Sequence, residues 1–302
     1  MTTHLRHADP ADVESSRRRL VLGLALLTAL VEIAVLAEVI PGIEIGDIAV
    51  SASLLPGLAL AVACGSRLLG RSAHRWAAIA YWGAIAISLP VLAVSYAADD
   101  DLGIWTGLRA AALDEELVYR LAIPLVVAAL LQAARMAIAP ARIAGLVVAG
   151  AWFILLPGHR EQVGGAGDVV VFVAFTILAS LIVYRSGSIL PLAAGHATIN
   201  LWTYLLWSDS VNQSTRSWAL ASLLGLLLLA YGRPRRLAHE GPGLVDTWTG
   251  QAVALIDLRD GTAPTATLAD GSEVELGADY EPPADLEDLA VDQPSSERKF
   301  SQ

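Results

Sequence analysis

The chain has 302 residues, of which 55% are hydrophobic and 17% are charged, and its formal net charge is −10. This charged share lies below the usual quarter, and uncharged runs of about 15–20 residues recur, which together exclude an ordinary acidic soluble protein and predict a membrane protein. The single cysteine, Cys64, excludes an internal disulfide and a cysteine-only metal site.

The negative charge is concentrated at the C-terminal end. Residues 240–302 hold 14 acidic and 3 basic residues, whereas residues 1–239 hold 16 acidic and 17 basic residues. We therefore expect a cytoplasmic N-terminal segment over residues 1–19, a nearly neutral transmembrane helical domain over 20–231 and a cytoplasmic acidic tail over 232–302. The sequence contains no basic stripe typical of nucleic-acid binding.

Eight apolar segments follow one another in the nearly neutral part of the chain, each near the ~20 residues that a helix needs to cross the hydrocarbon core. They cover residues 20–40, 51–66, 77–96, 104–134, 141–158, 168–184, 189–208 and 216–231. We expect an all-α polytopic membrane protein with about eight transmembrane helices. The first apolar run is longer than the core of a signal peptide, so no cleavable signal is predicted.

The charges between these segments alternate along the chain. The basic loops contain Arg17–Arg19, Arg67, Arg71, Arg75, Arg135, Arg142, Arg185, Arg233, Arg235 and Arg236. The acidic loops contain Glu44, Asp47, Asp99–Asp101, Glu161 and Asp209, with Arg160 and Arg216 as exceptions. Because basic loops favour the cytoplasmic side, both termini are predicted to be cytoplasmic, in a multi-pass protein of the cell membrane.

The acidic tail contains two Asp-Gly turn signals, at residues 260–261 and 270–271, between short stretches of alternating polarity. This pattern predicts a small β-hairpin near residues 250–277. From Ala278 onward the proline and acidic content predicts a disordered segment. The tail carries no site motif, so we interpret it as a solvated appendage, with docking to a cytoplasmic partner as the alternative.

Ionisable residues inside the fourth segment mark the first candidate site. An ionisable residue inside a span costs about 2.5–3.5 kcal/mol and usually belongs to a functional site or a structural pair. Asp114, Glu115 and Glu116 follow one another here, and Arg120 comes four residues later. In a helix Glu116 and Arg120 can pair, while Glu115 is rotated by about 100° and remains for a water or substrate. The alternative is an interfacial salt bridge that only anchors the helix.

Two further polar groups contain histidines. His196 and Asn200 are i, i+4 partners in the seventh segment, where they can donate hydrogen bonds to an oxyanion or simply join two helices. His159 ends the fifth segment, and a straight helix counted from residue 141 places it about 27 Å from the cytoplasmic side, far from the expected depth of Glu115. More than about 10 Å between His159 and both other groups would exclude it as a partner of the base.

The three groups occur in the order Glu-Glu-x-x-x-Arg, an apolar helix ending in His, and His-x-x-x-Asn. In this order they resemble the CPBP family of CAAX prenyl proteases and bacteriocin-processing or immunity proteins, also called Abi, over roughly residues 104–208. The second group departs from the family pattern Phe-x-x-x-His, because Leu155 stands four residues before His159 and Phe153 stands six before.

The resemblance implies an intramembrane endopeptidase of about eight helices. Carried over by position, its catalytic set is Glu115, Glu116, Arg120, His159, His196 and Asn200. In this set Glu115 is the general base that activates a water with help from His159, and Glu116 with Arg120 holds the helix and tunes the charge. The His-x-x-x-Asn motif binds the oxyanion, and the substrate is a peptide or protein at the lipid bilayer.

The need for a metal stays open at the level of the sequence. The zinc-protease motif His-Glu-x-x-His does not occur, and we expect no cofactor. If a divalent metal such as zinc binds, Glu115, His159 and His196 are the three ligands that the sequence offers.

Two other functional classes compete with the protease. One is a non-catalytic immunity or scaffold protein of the same fold that keeps the polar cluster for helix packing. The other is a transporter, which is disfavoured because the first three segments carry only Glu32 and Glu38 as ionisable residues and show no inverted repeat.

Overall fold

The architecture comes from a computed structural model. It describes residues 10–45, 48–70, 75–97, 102–157, 159, 166–232, 237–240, 243–246, 253–257, 265–268 and 273–275. These residues form two compact units, a helical one up to residue 232 and a unit of strands from residue 237 onward. The first nine residues and the segment from Ala278, for which disorder was predicted, lie outside the described part of the chain.

All eight predicted apolar segments are helical. The helices are α1 (Pro10–Leu36), α2 (Leu54–Cys64), α3 (Arg75–Ala97), α4 (Leu102–Glu116), α5 (Ile123–Ala133), α6 (Ile138–Ile154), α7 (Ala166–Ser186), α8 (Leu190–Trp207) and α9 (Gln213–Tyr231). A 3-10 turn (Gly65–Leu69) follows α2, and a π-helical turn (Leu117–Ala122) joins α4 to α5. The fold is therefore mostly helical, as predicted.

Three of the described helices are long and apolar enough to cross a membrane. They cover Ser16–Leu36, Gly103–Ala133 and Gln213–Tyr231, and shorter apolar helices cover Leu54–Leu69, Ile138–Ile154 and Phe172–Ser186. Large apolar side chains on these and neighbouring helices, such as those of Val62, Ile87 and Trp218, are exposed. Exposed apolar surface of this extent is typical of a surface that contacts lipid or another protein.

The prediction of a purely α-helical body is wrong in one place. Strands β1 (Ile43–Ile45) and β2 (Ile48–Val50) form an antiparallel hairpin after α1. The cause is local, because isoleucine and valine alternate with other residues in both strands, and β-branched side chains favour extended backbone. The hairpin packs against α4 at Gly107, where an added Cβ would collide with the Ile45 carbonyl and the Ile48 side chain.

The tail contains more strands than the single predicted hairpin. Strands β3 (Leu237–Glu240) and β4 (Gly243–Asp246) pair in one antiparallel hairpin. Strands β5 (Val253–Asp257), β6 (Thr265–Leu268) and β7 (Glu273–Glu275) form an antiparallel sheet in the order β5-β6-β7. Both β5 and β7 pair with β6, and the two Asp-Gly signals fall in the gaps between described strands.

The end of α4 and the π turn lie between two apolar cores. Leu117 packs in a core that includes Tyr81 and Leu192, whereas Val118 packs in a second core that includes Phe153. Consecutive residues of one turn thus face different cores, which fixes the rotation of the helix about its axis. That rotation decides where the polar side chains of the same turn point.

Candidate active site

Glu115 at the end of α4 lies between two histidines that come from other parts of the chain. Its Oε1 is 3.8 Å from His159 Nε2, and its Oε2 is 3.5 Å from His196 Nε2. One imidazole therefore faces each oxygen of the carboxylate. His159 lies far inside the limit of about 10 Å that a base and its partner must satisfy.

Glu116, the next residue, is buried behind the same histidine. Its Oε1 is 2.9 Å from His196 Nδ1, and its Oε2 is 3.9 Å from Arg120 Nε. Glu115 and Glu116 point in different directions, but the ring of His196 reaches both, one through each nitrogen. The two glutamates also differ in access: the Glu115 side chain is 25% exposed and that of Glu116 only 1%.

The π turn directly after Glu116 shapes this site. In it the Ile123 N–H donates to the Val118 carbonyl, five residues back, and widens the helix by one residue. Pro124 follows at the start of α5, and since proline has no N–H, it cannot make the α-helical bond to the Arg120 carbonyl. Such π turns are frequent at functional sites. Pro124, four residues after Arg120, was the sequence signal for this irregularity.

His159 reaches the site because α6 ends five residues before it. The chain turns after Ile154, and the His159 N–H donates to the Leu156 carbonyl at 3.1 Å. The His159 ring folds back onto Phe153, with ring centroids 4.4 Å apart. The count that gave about 27 Å assumed a helical rise of 1.5 Å for every residue up to His159, and this assumption does not hold beyond Ile154.

The hydrogen bonds of both rings leave Nε2 directed at Glu115. His159 Nδ1 lies 2.6 Å from the Phe153 carbonyl, and because a carbonyl only accepts, this nitrogen carries the hydrogen. His196 Nδ1 faces the Glu116 carboxylate in the same way. A ring nitrogen without a hydrogen and a carboxylate oxygen repel each other. A proton or the hydrogen of a water relieves this repulsion, so Glu115 with the two Nε2 atoms is suited to hold a proton or to polarise a water.

Aromatic rings enclose the polar groups. The guanidinium of Arg120 lies over the Phe153 ring, 4.8 Å from its centroid. Phe172 and Phe175 of α7 lie 5.0 Å from the His159 ring and 4.8 Å from the His196 ring, respectively. Apolar walls lower the local dielectric constant and strengthen each charge interaction inside them. Sequence reasoning did not single out the α7 phenylalanines, which carry no motif.

Asn200 is the one predicted residue with no hydrogen bond or ion pair to the cluster in the described structure. It lies one turn after His196 on α8 and is half-buried. No hydrogen bond joins its amide to another residue in the described ranges.

Gly195 fixes α8 beside the site. The hydroxyl of Tyr81 on α3 donates to the Pro191 carbonyl at 2.6 Å and occupies the place where a Cβ of residue 195 would be. The absence of a side chain lets α3 approach α8 at the residue before His196. This contact gives a structural reason for the small residue at that position.

A second polar cluster, which sequence reasoning missed, adjoins the first along α4. We call it the hydroxyl cluster, and its members are Glu32, Ser51, Ser53, Asp114 and Tyr119. The Ser51 hydroxyl donates to Glu32 Oε2 at 2.6 Å, and the Tyr119 hydroxyl donates to Glu32 Oε1. The Ser53 hydroxyl lies 2.7 Å from Asp114 Oδ1 and 3.1 Å from Glu32 Oε2. The signal was Glu32, an ionisable residue in an apolar helix.

Whether the site can bind a metal depends on how its ligand side chains are arranged. Among the described residues, no group of three or more His, Cys, Asp or Glu side chains is arranged to hold a metal ion. The set that the sequence offered is Glu115 with His159 and His196. A shared ion would require the two rings and the carboxylate to converge on one point, whereas each Nε2 here faces a different oxygen.

Comparison with protein-family models, with curated proteins and with solved structures yields no match. The function of the protein is therefore inferred from the side chains and distances given above. They define a partly exposed carboxylate that faces two imidazoles, with a buried glutamate–arginine pair behind one of them.

Proposed function

We propose that the protein is an intramembrane endopeptidase in which Glu115 and His159 activate a water molecule. The observation that carries the proposal is the placement of one imidazole Nε2 against each oxygen of the Glu115 carboxylate, at 3.8 and 3.5 Å. These separations are longer than a direct hydrogen bond, and catalytic hydrogen bonds are often long before a substrate binds and tighten when it does. The partial exposure of Glu115 gives a water or a substrate access to the carboxylate, while Glu116 has none.

The proposed reaction is the hydrolysis of a peptide bond. Glu115 accepts a proton from the water, whose oxygen adds to the scissile carbonyl carbon. The resulting tetrahedral intermediate carries its negative charge on the former carbonyl oxygen, and hydrogen-bond donors stabilise it. Glu115 then gives the proton to the leaving amine as the C–N bond breaks, which restores the carboxylate.

The Asn200 amide supplies one donor for the oxyanion in this proposal, and His196 supplies a second when its Nε2 also carries a hydrogen. Glu116 and Arg120 hold the ring of His196 in one orientation through the 2.9 Å contact to Nδ1. The Asn200 amide lies one turn further along α8 and has no competing hydrogen bond in the described structure. Donors that are fixed before the reaction stabilise charge without reorganising during it.

The site lies within helices of membrane character, so we propose a peptide bond at or in the bilayer as the substrate. Glu115 and Arg120 belong to the apolar helix Gly103–Ala133. We propose that all eight helical segments cross the cell membrane with both termini in the cytoplasm, which the alternation of loop charges supports. The resemblance of the Glu-Glu-x-x-x-Arg and His-x-x-x-Asn motifs to the CPBP family supports the same function.

The test compares Glu115→Gln with Glu38→Gln in native membranes. Glu38 is an exposed glutamate just after α1, so it receives the same substitution outside the site. Membrane peptides whose new termini appear with Glu38→Gln should lose those termini with Glu115→Gln, by about 10²–10⁴-fold in cleavage rate. Equal termini in the two strains would contradict the proposal, and retained biological function would then favour the immunity or scaffold protein.

A chelator separates the water-only mechanism from a metal-assisted one. We expect cleavage by the purified protein to continue unchanged in the presence of a strong divalent-metal chelator. Loss of cleavage and its recovery with zinc would instead assign Glu115, His159 and His196 as metal ligands.

A further inference from the structure

The hydroxyl cluster contains two buried carboxyl groups that the proposed reaction does not use. Glu32 is 5% exposed, Asp114 is 4% exposed, and Ser53 and Tyr119 are buried. Within the cluster, the contacts of both carboxyl groups are to hydroxyls and not to a cation. Burying carboxyl groups in this way is costly in a membrane helix, and such residues usually have a function.

Glu32 connects α1 to the start of α2 and to the π turn. Its Oε2 accepts from Ser51, and its Oε1 accepts from the Tyr119 hydroxyl. Ser53 extends the connection to α4, because its hydroxyl lies 2.7 Å from Asp114 Oδ1 and 3.1 Å from Glu32 Oε2. Its single hydrogen serves one of these carboxyl groups, so both contacts are hydrogen bonds when the other carboxyl group is protonated and donates to Ser53. One carboxylate on α1 therefore holds the helix that bears Glu115 at two places.

These two places lie on either side of the catalytic candidates. Asp114 directly precedes Glu115, and Tyr119 lies inside the π turn that begins after Glu116. A π turn is rare in proteins and occurs mostly as a single turn inside an α-helix, frequently at a functional site. Fixing both sides of the pair fixes the direction in which the Glu115 carboxylate points.

A second path leads from Glu32 to His159. The Tyr119 ring packs edge-on against Phe153, with centroids 5.6 Å apart. The Phe153 carbonyl binds His159 Nδ1 at 2.6 Å, and its ring packs on the His159 ring. The position of Tyr119, which Glu32 holds, thereby influences the position of His159.

We propose that Glu32 is a positioning residue that sets the separation between Glu115 and His159. It acts through Ser53 and Asp114 on the base and through Tyr119 and Phe153 on its partner. This proposal rests on the proposed hydrolysis for its effect on rate, but the geometry it describes is measurable without activity. It assigns a role to the buried one of the two glutamates in the first apolar segment.

The activity test uses three variants and a matched control. Glu32→Ala removes both acceptors, Glu32→Gln keeps one oxygen for the Tyr119 hydroxyl, and Tyr119→Phe removes that donor. We expect Glu32→Ala to lower kcat by up to about 10²-fold with little change in KM, since a misplacement of about 1 Å has effects of that size. Glu32→Gln should recover part of the rate, and Glu38→Gln should keep all of it.

Coupling between the variants identifies the path. If Glu32 acts through Tyr119, Glu32→Ala combined with Tyr119→Phe should be no slower than Glu32→Ala alone, because coupled residues are not additive. The rates are those for a membrane peptide whose terminus depends on Glu115. Additive losses would overturn the path through Tyr119, and wild-type rates in Glu32→Ala and Tyr119→Phe would overturn the proposal while leaving the hydrolysis intact.

A spectroscopic test is independent of hydrolysis. In protein labelled with ¹⁵N-histidine and reconstituted in lipid nanodiscs, the ring resonances missing from His159→Gln identify His159. We expect these resonances to shift in Glu32→Gln and Tyr119→Phe but not in Glu38→Gln. Unshifted His159 resonances in both variants would overturn the positioning role, whereas Glu115→Gln without effect on cleavage would overturn only the proposed function.

Discussion

The two polar clusters along α4 surround their carboxylates with different partners. Glu115 faces two imidazole nitrogens and is 25% exposed, whereas Glu32 faces hydroxyls and is 5% exposed. Imidazole exchanges protons near neutral pH, and hydroxyls serve mainly as hydrogen-bond donors to an anion. The first arrangement suits chemistry on an incoming molecule and the second suits fixing the chain.

This difference has an experimental consequence. Substitutions around Glu115 should reduce cleavage while the protein stays folded. Substitutions around Glu32 should act through geometry, so that conservative changes recover activity. The following variants test which residues act in the proposed reaction and which only hold the structure.

The largest expected effect is the loss of either histidine beside Glu115. We expect His159→Gln and His196→Gln each to reduce the cleavage rate by about 10²–10⁴-fold, because general acid–base catalysis contributes that much. The control is His239→Gln in strand β3 of the tail, which should cleave at the wild-type rate. If His159→Gln also cleaves at the wild-type rate, the comparison fails, since nothing would then distinguish Glu115 as a catalytic residue from Glu32 as a structural one.

Arg120 lies where the two clusters meet, and its loss should mainly affect stability. Its guanidinium is 3.9 Å from Glu116 and lies 3.4 Å from the Tyr119 carbonyl. We expect Arg120→Met to lower the free energy of unfolding in detergent by about 3–5 kcal/mol, because Glu116 would be a buried charge without its cation. Adding Glu116→Gln should recover part of this loss, and equal stability of both variants would show that the pair is not ionic.

Asn200 tests how far the first cluster extends along α8. Asn200 is proposed as an oxyanion donor, so its loss in Asn200→Ala should lower kcat by about 10²–10³-fold. Because the amide makes no hydrogen bond to another described residue, the melting temperature should stay unchanged. A wild-type rate in Asn200→Ala would restrict the site to Glu115 and the two histidines.

Gly195 gives the smallest expected effect and involves packing rather than either cluster. In Gly195→Ala the new Cβ would collide with the Tyr81 hydroxyl, and overpacking of this kind costs about 1–3 kcal/mol. Removing the hydroxyl in the double variant with Tyr81→Phe should recover stability, since the next ring atom would lie at an ordinary 3.4 Å. A double variant less stable than Gly195→Ala would exclude this collision as the cause.

The residues of the candidate site were predictable from the sequence, but their contacts were not. Glu115 was recognisable because ionisable residues in apolar segments are costly, and His159 and His196 because the order of the three motifs resembles the CPBP family. His159 seemed too distant because a straight helix was assumed, and the structure ends α6 at Ile154. Glu32 seemed isolated because Ser51 and Tyr119 are ordinary residues until folding brings them together.

The sequence by itself determined the helical segments and the division into an apolar body and an acidic tail. Both follow from composition along short stretches of chain, which periodicity and charge report directly. Only the tertiary structure decided that one histidine touches two adjacent glutamates, and that a π turn and an α1 carboxylate adjoin the site. Those features depend on how helices distant in sequence pack together, and local composition carries no record of that packing.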